Sequence, residues 1–142
     1  MAVRRLGLVV AALVASCSAP ALQTAGGSMT GTWQGAYQGV QIQLVVQPSG
    51  TYSETQTVGS AMTMVSGQIE PAGPGEVTFT VQDWQPRTQN VYHPTGTVGG
   101  YYSQDPVAPP PGGTYKLQFA GANAFTLQDV TYGGVITYTR AA

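Results

Sequence analysis

Charged side chains are scarce in this chain: Lys, Arg, Asp and Glu make up 8% of its 142 residues. Two of the five basic residues, Arg4 and Arg5, stand at the extreme N-terminus. The rest of the chain sets Arg87, Lys116 and Arg140 against Glu54, Glu70, Glu76, Asp83, Asp105 and Asp129, a net charge near −3 with no basic patch. Such a body has little with which to neutralise phosphates, so nucleic acid is not expected as a partner. Histidine occurs once, as His93, and cysteine once, as Cys17. One imidazole and one thiol cannot furnish a zinc site, and one cysteine cannot close a disulfide within the monomer. No metal and no other cofactor is expected. Low charge does not mean disorder here, because disorder would call for high net charge and few aromatics.

Catalytic patterns are also missing. There is no Gly-x-Ser-x-Gly elbow and no P-loop, and the glycines of "GTVGG" (Gly96 to Gly100) have no helix after them. A Ser/His/Asp triad would have to run through His93, in an irregular Tyr92-His93-Pro94 turn. The six acids are scattered rather than paired. An enzyme is not expected.

What the chain does have begins with an address. Arg4 and Arg5 form a positive n-region, and Leu6 to Ala15 form an apolar run too short to cross a bilayer as a mature helix. The run ends in Val14-Ala15-Ser16-Cys17, which resembles a bacterial lipobox. That resemblance implies a signal peptide over residues 1–16 and acylation of Cys17, with stable anchoring by two or three chains. Ser18 in place of Asp resembles the pattern of outer-membrane sorting, so the expected location is the cell envelope, on the outer membrane facing the periplasm. Residues 17–29 are small and read as a flexible tether. The alternative is ordinary cleavage after Ala19-Pro20-Ala21, with Cys17 discarded.

From Thr30 onward the composition is that of an all-β domain, rich in Thr, Val, Gln, Gly (19) and Pro (10). Val40, Ile42, Leu44 and Val46 alternate with glutamines, as in a half-buried strand. Pro48-Ser49-Gly50 then predicts a turn and a hairpin, whose return strand puts Tyr52, Glu54, Gln56 and Val58 on one face, Glu54 opposite Leu44. Further strands are predicted in "AMTMVSGQIE", in "EVTFTVQDW", in the hairpin pairing Tyr115, Leu117 and Phe119 with Phe125 and Leu127, and over Val135 to Arg140. Between Trp84 and Gly113 the pattern dissolves, leaving one short strand near Thr95 to Tyr102 and a stiff Pro109-Pro110-Pro111 loop. The sum is about eight antiparallel strands in up-and-down order over residues 30–142. That is the size at which a closed barrel is filled by side chains or by one small ligand.

Gly31-Thr32-Trp33 on the first strand, with Arg140 on the last, resembles the calycin superfamily of lipocalin-like barrels, here a small lipoprotein of that kind. The resemblance implies that Trp33 plugs the closed end, with Arg140 packed over its indole to stitch first strand to last. Gly31, Trp33 and Arg140 are then barrel closure rather than a binding site. The resemblance also implies an apolar or lipid-like ligand inside. The sequence departs from the larger lipocalins in having no disulfide and no helix after the barrel. "GTW" opens avidin-type barrels too, but those biotin sites use several more tryptophans, and only Trp84 remains.

Two groups of residues are candidates for ligand binding. Trp84, Tyr92, Tyr101 and Tyr102 cluster in or beside the irregular segment and would form an aromatic lip over the barrel mouth, a contact patch for an envelope protein, or merely a cover. Tyr52 and Glu54 share a face, and a carboxylate pointing inward is costly unless a cavity or partner receives it. A bulge after the turn would instead swing Glu54 to solvent, and that is the preferred expectation. The function expected is a non-enzymatic, lipid-anchored binding protein; the alternative is a filled barrel that grips or inhibits a partner through residues 85–113.

Overall fold

The computed structural model describes residues 23–24 and 27–142. The signal segment 1–16, Cys17 and most of the tether 17–29 lie outside the described residues. Among those described there is no helix. Twelve strands follow in order: β1 (Gln23–Thr24), β2 (Gly27–Ser28), β3 (Gly31–Tyr37), β4 (Val40–Val46), β5 (Thr51–Val58), β6 (Ala61–Gly73), β7 (Glu76–Gln85), β8 (Thr88–Pro94), β9 (Gly100–Pro106), β10 (Gly113–Phe119), β11 (Ala124–Asp129) and β12 (Val135–Arg140).

Eight of them close into an antiparallel barrel, β3-β4-β5-β6-β7-β10-β11-β12, with β12 returning to pair with β3. Closure leaves no exposed edge on a sheet otherwise rich in Thr and Val. Each strand follows from alternation. In β4, Ile42, Leu44 and Val46 are buried while Gln41 and Gln43 face solvent, and this period of two fixes the register against both neighbours. Tight turns complete the ladder. At residues 47–50 the Gly50 amide donates to the Gln47 carbonyl at 3.0 Å, and Gln47 in turn donates to Thr51 at 2.8 Å.

The core gathers the inward positions of all eight strands, together with Met29: Trp33, Leu44, Val46, Tyr52, Ile69, Val77, Phe79, Leu117, Phe125, Leu127 and Tyr138 are buried in it. Each large side chain taken fully out of water contributes about 1.5–3 kcal/mol. Met29 was assigned from sequence to the tether, yet its side chain is fully buried, so the packed body begins before Thr30. The aromatics touch in two runs. Trp33 meets Phe125 edge-on at 4.5 Å and Phe125 stacks on Tyr138 at 5.1 Å; Tyr52, Phe79 and Tyr115 follow edge to edge at 5.0 and 5.4 Å.

The β6–β7 ladder shifts register at Pro71/Gly73, beside the turn, and again farther along the wall, at a bulge between Ser66 and Gly67. It adds a residue to β7, so that Val81 pairs with Gly67 but Trp84 pairs with Val65. Gly67 is required there, because a Cβ at that position would overlap the carbonyl of Thr80.

The segment 85–113 corrects the sequence reading. In place of one strand near Thr95 to Tyr102 there is a complete hairpin, β8 with β9, turning at residues 95–99. It pairs with no barrel strand. Neither of its faces is deeply buried, so its sequence carries no hydrophobic alternation to betray it.

Candidate functional site

The barrel has two unlike ends. At one end lie the start of β3, the end of β12 and the β4–β5, β6–β7 and β10–β11 turns. At the other lie the β3–β4, β5–β6 and β11–β12 turns and the long β7–β10 excursion.

The first end is plugged. Trp33 is fully buried, and its indole N–H donates to the Met29 carbonyl at 2.7 Å. Arg140 pairs with Trp33 across β12 and β3, and its guanidinium carbon stands 4.2 Å from the indole centroid. The same guanidinium donates to the carbonyls of Thr30 (3.3 Å) and Ala122 (3.1 Å). Gly31 leaves room for it: a Cβ would collide with an Arg140 nitrogen, and the φ of 131° suits glycine. This constellation is saturated with internal partners and offers nothing to a ligand.

In the middle of the barrel two polar side chains, Glu54 and Gln56, face an otherwise apolar and aromatic interior. Glu54 faces Leu44 on β4 and Val65 on β6. The β4–β5 ladder runs without a register shift, so the bulge expected to turn Glu54 outward is absent; the bulge falls on β6–β7 instead. Glu54 lines a cavity of about 110 Å³ with Ile42, Gln56, Phe79, Tyr115, Leu127, Ile136 and Tyr138. The Gln56 amide donates to its carboxylate. Burial pushes the Glu54 carboxyl above the usual range, and the Gln56 hydrogen bond offsets part of that shift. Burial, reinforced by the Glu54 charge, also raises the neighbouring phenols: Tyr52 is pushed up to about 12, and Tyr138 is raised as well. Tyr115 is raised by burial, then by Asp129 and Glu54.

Towards the second end the cavity shares Tyr115 and Ile136 with a larger pocket of about 450 Å³, whose other walls are Tyr37, Asp129, Tyr132, Gly133 and Gly134. Asp129 organises this rim. Its Oδ1 accepts from the amides of Thr131 (2.7 Å) and Tyr132 (2.9 Å), and its backbone closes the turn with Gly133 and Gly134.

The remaining sequence candidates are elsewhere. Trp84 is half-buried near the end of β7, where its indole donates to the Val107 carbonyl at 3.0 Å and Arg87 stacks on it at 3.7 Å. With Glu54 it borders a groove of about 200 Å³ along β5, β6 and β7. Tyr92, Tyr101 and Tyr102 sit on the β8–β9 hairpin. Tyr92 and Tyr102 pair on one face (5.1 Å), while Tyr101 stacks on His93 on the other (4.9 Å). All three tyrosines are exposed and none has a ring contact with Trp84, Tyr52 or Tyr115. The structure therefore keeps apart the hairpin tyrosines and the tryptophan that proximity in sequence gathered, and it sets Tyr115 and Tyr138 beside Glu54. The signal for Tyr115 and Tyr138 was alternation, which points both inward with Leu117 and Ile136.

The hairpin does bring His93, Ser103 and Asp105 together. The Ser103 hydroxyl donates to Asp105 at 2.6 Å and lies 2.7 Å from His93 Nε2. The order is wrong for a nucleophile. Serine stands between imidazole and carboxylate, so the acid orients the hydroxyl and not the base.

Compared with protein-family models, curated proteins and solved structures, the chain matches none of them.

Proposed function

We propose that the protein is a non-enzymatic lipoprotein of the bacterial cell envelope, built as a lipocalin-like barrel, that binds a small molecule through the rim opposite Trp33. The observation that carries this reading is the inward-facing Glu54 carboxyl, half-buried beside a cavity lined by Gln56, Tyr115 and Tyr138. A fold gains no stability from a desolvated carboxyl with no opposite charge beside it. Convergent polar groups and perturbed titrations inside a concave site are the ordinary marks of a binding site. The signal-like N-terminus and the lipobox-like Val14-Ala15-Ser16-Cys17 support the envelope location and the lipid anchor.

The cavity also refines the cargo. Drug-sized ligands occupy roughly 300–1,000 Å³, whereas the inner chamber holds about 110 Å³. A lipid-like chain has no room there. A ligand whose polar end reaches Glu54 and whose body rests in the Tyr37–Tyr132 pocket fits both spaces.

A second reading, a partner-gripping module, is favoured by the free-standing β8–β9 hairpin with its three exposed tyrosines. Native mass spectrometry of the protein extracted from its own membrane separates the two. A small molecule retained by the wild type and lost from Glu54→Gln supports the barrel site. A bare mass with a co-purifying protein, lost when Tyr92, Tyr101 and Tyr102 are replaced, supports the hairpin.

A further inference from the structure

We propose that the Glu54 cavity is a site for a small organic cation, an ammonium group that enters past Tyr37 and Tyr132 and rests against the Glu54 carboxylate beside the rings of Tyr115 and Tyr138. This rests on the reading of the barrel as a small-molecule binder and fixes the sign of the ligand's charge.

The Glu54 cavity is walled by Ile42 from β4, Gln56 from β5, Phe79 from β7, Tyr115 from β10, Leu127 from β11, and Ile136 and Tyr138 from β12. Val65 is its cross-strand neighbour on β6. None of these carries a formal charge with its phenol protonated; the groove that Glu54 also borders adds one charged residue, the anion Asp83, which is paired with Arg87. The cations among the described residues are committed elsewhere. Arg140 is stacked on Trp33 at the plugged end, Arg87 is paired with Asp83, and Lys116 is exposed on β10, where alternation sets it opposite to inward Tyr115 and Leu117. Among the described residues Glu54 has an amide partner and no counter-charge.

A proton can neutralise the group, and when Glu54 is ionised a ligand can supply the counter-charge. An anion would meet Glu54 inside and Asp129 at the rim, so fatty-acid-like carboxylates are repelled twice. A neutral hydroxyl would donate one hydrogen bond but leave the carboxylate charge uncompensated. An ammonium compensates the charge, and phenol rings and phenol oxygens are both suitable neighbours for its N–H groups. The sizes agree with this assignment. The chamber of about 110 Å³ accepts a head group, and the adjoining pocket of about 450 Å³ accepts a ring or short chain between Tyr37 and Tyr132. Tyr115 and Ile136 form the wall common to both.

Charge pairing also couples binding to protons. Glu54 must be ionised to hold a cation, so a proton competes with the ligand. Affinity then falls as the pH is lowered through the Glu54 titration, while Tyr52, Tyr115 and Tyr138 stay neutral across that range.

The test titrates detergent-solubilised full-length protein with phenethylammonium and with its neutral isostere, phenethyl alcohol, by calorimetry in mildly alkaline buffer. The ammonium is expected to bind roughly tenfold or more tightly than the alcohol, as a charge-assisted hydrogen bond implies. That preference should vanish in Glu54→Gln and should shrink in the wild type on acidification. The wild-type pH series decides the matter even if the variant folds poorly. Equal binding of the two probes, or a preference that survives in Glu54→Gln, overturns cation recognition and leaves small-molecule binding standing. A neutral or anionic molecule retained from the native membrane does the same. No uptake of either probe, together with a bare native mass, overturns both readings.

Discussion

Arg140 and Trp33 are cross-strand partners that lock the last barrel strand to the first, the guanidinium 4.2 Å from the centre of the indole. Three separate interactions converge on that one side chain: the indole face and the carbonyls of Thr30 and Ala122. Arg140→Ala is expected to cost about 1–2 kcal/mol, since each partner is worth a fraction of that at an exposed site. Arg140→Lys should recover only part of it, because one ammonium cannot reproduce the flat fork that reaches both carbonyls. Trp33→Ala should cost about 3–5 kcal/mol as a core truncation. Urea unfolding measures all three. None should alter ligand affinity, because the plug and the Glu54 cavity share no lining residue.

Gly31 should behave as part of the same lock. An added Cβ would meet the Arg140 nitrogen and would also strain a φ of 131°. Gly31→Ala is therefore expected to cost about 1–3 kcal/mol, in the range of strained backbone positions. The clash lies at the end of a flexible side chain, so the double variant Gly31→Ala with Arg140→Ala should lose less than the sum of the singles. Additive losses would show that the strain is in the backbone alone.

The barrel was legible because its strands bury one face, and burial writes alternation into the sequence. Tyr52, Glu54 and Gln56 were placed on one face, with Glu54 opposite Leu44, and the structure has that register. What misled was the preference for a bulge after the β4–β5 turn, which would have swung Glu54 to solvent; that ladder has no register shift. The inward alternative needed a cavity to receive the group, and no sequence pattern announces one enclosed by β4, β5, β7, β10, β11 and β12. The hairpin was missed for the opposite reason. Asn90, Tyr92, Tyr102 and Gln104 lie exposed on one of its faces, and the opposite face is only half-buried, so neither face had to be apolar. Proximity in sequence then suggested one aromatic cluster where three-dimensional pairing makes two, on opposite faces of a ribbon.

That separation makes the hairpin testable by itself. Tyr92→Ala, Tyr101→Ala and Tyr102→Ala should each change stability by less than about 0.5 kcal/mol, as exposed substitutions do. They should leave the affinity for phenethylammonium unchanged, because none of these residues lines the cavity or its outer pocket. Tyr132→Ala and Tyr37→Ala, in the outer pocket, should weaken it. A fall in affinity at Tyr102 instead would put the hairpin over the mouth in solution.

Glu54 should also cost the fold stability, and the pH dependence gives the sign. Burial raises the folded-state pKa above the unfolded value, so the native state binds its proton more tightly than the unfolded chain does. The stabilisation from that proton is fully present below the unfolded carboxyl pKa and is lost as the pH rises through the folded pKa. Above that point the ionised carboxylate is a net burden. Glu54→Gln keeps the shape and the hydrogen bond to Gln56 while removing the titration. The variant should therefore melt higher than the wild type in neutral and alkaline buffer, and the gap should close on acidification below the usual carboxylate range. Thermal melts across that range measure it. A saturating ammonium ligand should close the same gap from the other side, raising the wild-type melting temperature at alkaline pH and leaving Glu54→Gln where it was. A variant less stable than wild type at alkaline pH would mean that Glu54 is held by an attraction within the barrel, and that the cavity is not waiting for a cation.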